Sequence, residues 1–235
     1  MKHWLILLAV LVLCLPGVAS AGNVVLSDWD GYQNNGADFN PSGGPVAIPA
    51  SVNTSAFNFS TGIGSVTFSF TTPGAHDAAW YEWPYYDSGF GDTIDAYGNG
   101  VGSAPAGLTW EMADGNTAPL WTDFYGNALT SSSSATTYSA PPAVCCDVQL
   151  AEVFGFTANP NVSIATVTFT MSAAAPSSGF YLQTTDNDSA TSLYMTSSFS
   201  ETDNTGNTAP EPASLLTIVG GLALLSAARW RKTGR

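Results

Sequence analysis

The 235-residue chain holds only 5 Lys and Arg against 18 Asp and Glu, a formal net charge of −13. All five basic residues lie at the ends, Lys2 at one and Arg229, Arg231, Lys232 and Arg235 at the other, so residues 22–209 carry 17 carboxylates and a formal −17 with no fixed positive charge. Such a middle cannot clamp phosphate with guanidinium or ammonium groups and repels a nucleic-acid backbone, which argues against phosphoryl transfer and nucleic-acid partners.

Lys2 precedes an apolar run from Trp4 to Leu15, then Pro16-Gly17 and the small residues Ala19-Ser20-Ala21. A positive start, a short apolar helix and a small-residue exit predict a signal peptide over 1–21, cut after Ala21 by signal peptidase. Cys14 follows Leu13 rather than a small residue, which argues against a lipoprotein anchor.

Residues 22–208 are enough for one substantial core, and no linker divides them. The segment Ser65 to Thr71 alternates Val66, Phe68 and Phe70 with small polar residues, and Ser163 to Ser172 repeats the pattern with Val167, Phe169 and Met171. This period of two predicts half-buried strands. Further strands are expected at Val24 to Leu26, Ala78 to Tyr86, Leu108 to Met112, Leu120 to Tyr125, Val148 to Thr157, Phe180 to Thr184 and Ser192 to Phe199. Pro73-Gly74, Tyr97-Gly-Asn-Gly100 and Asn159-Pro-Asn161 read as turns, and the serine-rich stretch Thr130 to Thr137 as a loop. The expected fold is all-β: a single antiparallel β-sandwich, jelly-roll-like, with long loops, flanked by the signal helix and a C-terminal transmembrane helix.

Within this domain, the stretch Trp80-Tyr-Glu-Trp83-Pro-Tyr-Tyr-Asp87 is the best candidate for binding chemistry. Aromatic rings stack on sugar faces while neighbouring carboxylates accept bonds from hydroxyls, so Trp80, Trp83 and Tyr85 form a candidate glycan site. The competing reading is a strand covered on both faces. Glu82, Glu111 and Glu152 are the acids that a glycoside hydrolase would need as a pair. No metal or other cofactor is required by any motif. Calcium is the one cation worth weighing, with Asp186, Asn187 and Asp188 the first choice of ligands ahead of Asp28-Trp-Asp30 and Asp92 with Asp95, against ordinary Asx turn chemistry. His76 beside Asp77 supplies two members of a nucleophilic triad, but no Gly-Xaa-Ser-Xaa-Gly elbow is present to supply the third. Cys145 and Cys146 are adjacent, and in an exported protein they read as a vicinal disulfide stiffening its loop, a redox-sensitive pair, or cross-links between chains.

The C-terminal segment opens with Pro210-Glu211-Pro212, continues through the uncharged run Ala213 to Ala228, and ends in the basic cluster Arg229, Arg231, Lys232 and Arg235. At about 1.5 Å per residue the run spans roughly 24 Å, short for a bilayer but extended by Trp230 and Arg229 at the interface. The basic cluster predicts a cytoplasmic C-terminus, placing the domain outside. This constellation, residues 209–235, resembles the PEP-CTERM sorting signal of Gram-negative bacteria. Gly179 to Phe199 further resembles the last hairpin of some cargo domains carrying that signal. The resemblance implies recognition of Pro210, Glu211 and Pro212 by an exosortase-type transpeptidase, transient membrane anchoring, and delivery to the cell surface. The resulting expectation is a non-catalytic exported protein associated with extracellular polysaccharide, with a glycan-binding module and a glycoside hydrolase as alternatives.

Overall fold

The computed structural model describes residues 23–36, 38–40, 48–87, 96–114, 120–134, 148–186 and 190–203. The two terminal helices expected from sequence lie outside these residues. Among the described residues, no helix is long and apolar enough to cross a membrane.

The described chain is almost entirely β. Its strands are β1 (Asn23–Gln33), β2 (Val52–Asn58), β3 (Ile63–Phe70), β4 (Gly74–Asp87), β5 (Ala96–Val101), β6 (Leu108–Asp114), β7 (Ser132–Ser133), β8 (Val148–Ala158), β9 (Val162–Ser172), β10 (Tyr181–Asp186) and β11 (Ser192–Asp203); one short helix, α1 (Leu120–Tyr125), stands between β6 and β7. They form a five-stranded sheet in the order β1-β4-β8-β6-β7 and a six-stranded sheet in the order β2-β3-β9-β11-β10-β5. Every pairing is antiparallel except the two-residue contact of β6 with β7.

The sheets face one another across a shared apolar core, a sandwich-like arrangement. Alternation explains who points inward. In β9, Ala165, Val167, Phe169 and Met171 enter the core while Thr166, Thr168 and Thr170 do not; β3 contributes Val66, Phe68 and Phe70 in the same way. From the five-stranded sheet come Ala78 and Trp80 of β4, Leu108, Trp110 and Met112 of β6, and Val148, Leu150 and Phe154 of β8. A second, smaller core lies on the outer face of the same sheet, where Tyr32, Ala79, Tyr81, Ala113, Ala151 and Val153 pack against Leu120, Phe124 and Leu129. Both faces of β4 and β8 are therefore covered near the sheet centre, which is why β8 is buried at seven consecutive residues.

Three expectations need correction. Leu120 to Tyr125 is a helix rather than a strand. Its aromatics favour β structure in isolation, but Leu120 and Phe124, four residues apart, share the face turned to the second core, and that burial decides. Tyr97-Gly-Asn-Gly100 is not a turn but most of the edge strand β5. Its glycines are required by packing: a Cβ on Gly100 would come within 2.7 Å of the Trp110 ring, and one on Gly98 would collide with the Met112 methyl. The serine-rich stretch is not wholly loop, since Ser132 and Ser133 pair with Glu111 and Met112. Strand β2, not foreseen, joins β3 as a hairpin.

Candidate functional site

Strand β4 carries the chemistry singled out in the sequence, and its alternation sorts that chemistry onto two buried faces. Trp80 points between the sheets and is 1% exposed, with its ring edge-on to Phe57 and Phe68 and stacked on Trp29 at 5.4 Å. Its ring is thus part of the core and offers no platform to a sugar. Trp83 points the other way and packs, half-buried, against the second core. Tyr85 pairs with Val25 along the backbone, and its side chain lies outside the described part of the structure. Trp80, Trp83 and Tyr85 are therefore not brought together as one aromatic surface.

Of the three candidate acids, Glu82 and Glu152 share the inter-sheet face and Glu111 lies opposite. Trp80 pairs with Glu152, and Glu82 with the next inward residue of β8, Leu150, so the two glutamates are diagonal neighbours on adjacent strands. Such positions are roughly 7–8 Å apart. The Trp80 indole N–H donates to Glu82 Oε1 at 2.6 Å, while Glu82 Oε2 has no hydrogen-bond partner among the described residues. Burial drives the Glu82 carboxyl well above the usual range, and the indole bond offsets only part of that rise. Glu152 lies between Trp80 of β4 and Trp110 of β6 and is 0% exposed. Neither of its oxygens lies in hydrogen-bond geometry with a described group, and burial pushes its pKa up to about 7, an effect that the Ser197 hydroxyl across the core only moderates. Both carboxyls are thus poised to be neutral, as proton donors would be, yet both are sealed within the sandwich. Glu111 is held from outside by the Thr130 N–H and hydroxyl, each at 2.9 Å from Oε2.

The outer face of the five-stranded sheet gathers a constellation that the sequence did not reveal. Asp30 Oδ1 accepts the N–H groups of Gly31, Phe39 and Asn40 at 2.6, 3.0 and 3.0 Å, and its Oδ2 accepts the Tyr125 hydroxyl. Asp28 accepts the Trp29 N–H at 2.9 Å. Burial raises the pKa of both aspartates, outweighing these bonds. Above them, Trp121 stacks on Tyr125 at 5.1 Å and leans on Tyr81 at 4.3 Å. Asp28-Trp-Asp30 had suggested calcium. In the fold, Asp30 is occupied in tying residues 39–40 and helix α1 to the sheet. Helix α1 itself was misread as a strand, so Tyr125 had no visible reason to meet Asp30.

The remaining candidates stay apart. His76 and Asp77 point to opposite faces of β4: the imidazole reaches Asn34 Oδ1 and the Thr72 carbonyl at 2.9 and 2.8 Å, whereas Asp77 accepts the Asn35 N–H at 3.0 Å. No triad is assembled there. Asp186 lies at the inward end of β10, its N–H closing the hairpin on the Thr191 carbonyl at 2.9 Å. Its expected partners Asn187 and Asp188 lie outside the described residues, as do Asp92, Asp95, Cys145, Cys146, the Pro210-Glu211-Pro212 motif and the basic cluster from Arg229 to Arg235. Among the described residues, no three His, Cys, Asp or Glu side chains converge on a site that could hold a metal ion. Compared with known protein families, characterised proteins and solved structures, the chain matches none.

Proposed function

We propose that this chain is an exported, non-catalytic protein of the cell surface or extracellular matrix, carrying a jelly-roll-like β-sandwich and sorted through a PEP-CTERM signal. The observation that carries this reading is the order Pro210-Glu211-Pro212, apolar run, basic cluster, set behind a domain without fixed positive charge and a signal-peptide-like start. Signal peptidase removes residues 1–21; the run Ala213 to Ala228 holds the precursor in the inner membrane; an exosortase-type transpeptidase then acts at the motif. The non-catalytic half of the reading draws support from burial. Of the three acids that could serve a hydrolase, Glu82 and Glu152 are closed off from any substrate and Glu111 is bonded to Thr130, while Asp30 is committed to bonds within the fold.

The test is fractionation of cells producing the chain and a variant with Pro210, Glu211 and Pro212 all changed to Ala. The wild type should reach the surface or medium, and the variant should remain in the inner membrane. Release of the variant at the wild-type level would contradict sorting through this motif. Hydrolysis of a polysaccharide by the purified protein, abolished by Glu152→Gln, would contradict the non-catalytic reading.

A further inference from the structure

The outer face of the six-stranded sheet is built from small hydroxyl, amide and tyrosine side chains. Its outward residues follow from the registers of β3, β9, β11, β10 and β5, and none of those described is charged. Hydroxyls line up across strands. Ser65 and Thr170 are 2.8 Å apart, Thr67 and Thr168 3.0 Å, and Thr166 and Ser200 2.7 Å. In each pair one hydroxyl donates to the other, which leaves the acceptor's own O–H donor free for a ligand. The rows repeat about every 6.6 Å along a strand and about 4.8 Å between strands, a regular array.

At one end this array meets a cluster of aromatics and amides. Tyr194, Gln183 and Asn99 stand side by side on β11, β10 and β5. Tyr181 lies two residues before Gln183 on the same face, and Tyr97 pairs with Thr185 on the other side. Tyr97 is 38% exposed, and the Tyr181 and Tyr194 rings meet edge-on at 5.7 Å. The Gln183 amide donates through Nε2 to Thr185 Oγ1 at 3.2 Å.

We infer that this face, centred on Tyr97, Asn99, Tyr181, Gln183 and Tyr194, binds a neutral polysaccharide. The inference rests on the reading of an extracellular matrix protein and names the partner. An uncharged face on a strongly acidic domain gives a polyanion no counter-charge and a polycation no contact ion, so an uncharged ligand fits best. Amides that both donate and accept suit vicinal hydroxyls, and tyrosines supply apolar ring area with a polar tip. A protein partner fits less well, because interface cores are depleted in Ser, and the face around the three tyrosines is mostly Ser and Thr.

The test is affinity electrophoresis of the full chain in detergent against a neutral β-glucan, a neutral mannan and the polyanion alginate. At least one neutral polymer should retard the protein and alginate should not. Tyr194→Ala and Gln183→Ala should each weaken binding roughly ten-fold, Tyr194→Phe should preserve it, and thermal unfolding should stay at the wild-type midpoint in all three. A protein that reaches the cell surface normally but binds neither neutral polymer would overturn this inference while leaving the sorting reading intact. Stronger binding to alginate, or binding indifferent to these substitutions, would also overturn it. Conversely, glycan binding by a protein that never leaves the cell would defeat the sorting reading alone.

Discussion

Replacing Glu152 by Gln keeps the shape of the side chain and removes the only proton that its carboxyl can lose. In the fold that carboxyl lies between Trp80 and Trp110 with burial holding its pKa at about 7, against an ordinary value of 4.5. The folded state therefore binds more protons than the unfolded state between these two values, and the unfolding free energy falls as pH rises through that window. The penalty is small below pH 4.5 and complete above pH 7. Its size is about 2.5 pH units at about 1.4 kcal/mol each, or roughly 3.5 kcal/mol. Urea unfolding of wild type and Glu152→Gln at pH 5 and pH 8 reads it directly. The variant should gain roughly 2–3 kcal/mol over wild type on going from pH 5 to pH 8, which for a domain of this size corresponds to about 4–12 °C in Tm. A difference that does not change with pH, or one that favours wild type at pH 8, would refute the burial of this carboxyl in the core.

Two further substitutions probe the two faces of the five-stranded sheet. Trp80→Ala empties the centre of the inter-sheet core and strips Glu82 of its indole donor, so it should cost about 3–5 kcal/mol in urea unfolding; a loss below about 1 kcal/mol would mean that the ring is not buried as described. Asp30→Ala leaves the N–H groups of Gly31, Phe39 and Asn40 and the Tyr125 hydroxyl without their acceptor. It should destabilise by roughly 2–4 kcal/mol and speed amide exchange at Phe39 and Asn40, and unchanged exchange at those two amides would show that the carboxylate does not tie this loop to helix α1.

Much of the sheet structure was legible because its strands alternate cleanly. Val66, Phe68 and Phe70, and Val167, Phe169 and Met171, announce one buried face and do face the core. What escaped has a physical cause in each case. In β5, Gly98 and Gly100 carry a turn signature, but their inward positions are filled by Met112 and Trp110 from the opposite sheet, fourteen and ten residues further along the chain. Helix α1 has strand-favouring aromatics and only six residues, too few for its period of four to stand out. The candidate site was least legible of all. Trp80 looks the same in sequence whether its ring is core or platform, and only the presence of a second sheet above it decides. The Tyr181, Gln183 and Tyr194 cluster is created by the pairing of β10 with β11 and β5, and neither strand spacing nor composition reveals that Asn99 joins it.

The most direct test of the account is intact-mass and C-terminal peptide analysis of the protein recovered from the cell surface or medium. Sorting as proposed predicts a chain that begins at Gly22, ends at or beside Pro210-Glu211-Pro212, and lacks every basic residue of the precursor. Recovered mature protein that still ends at Arg235 would contradict it.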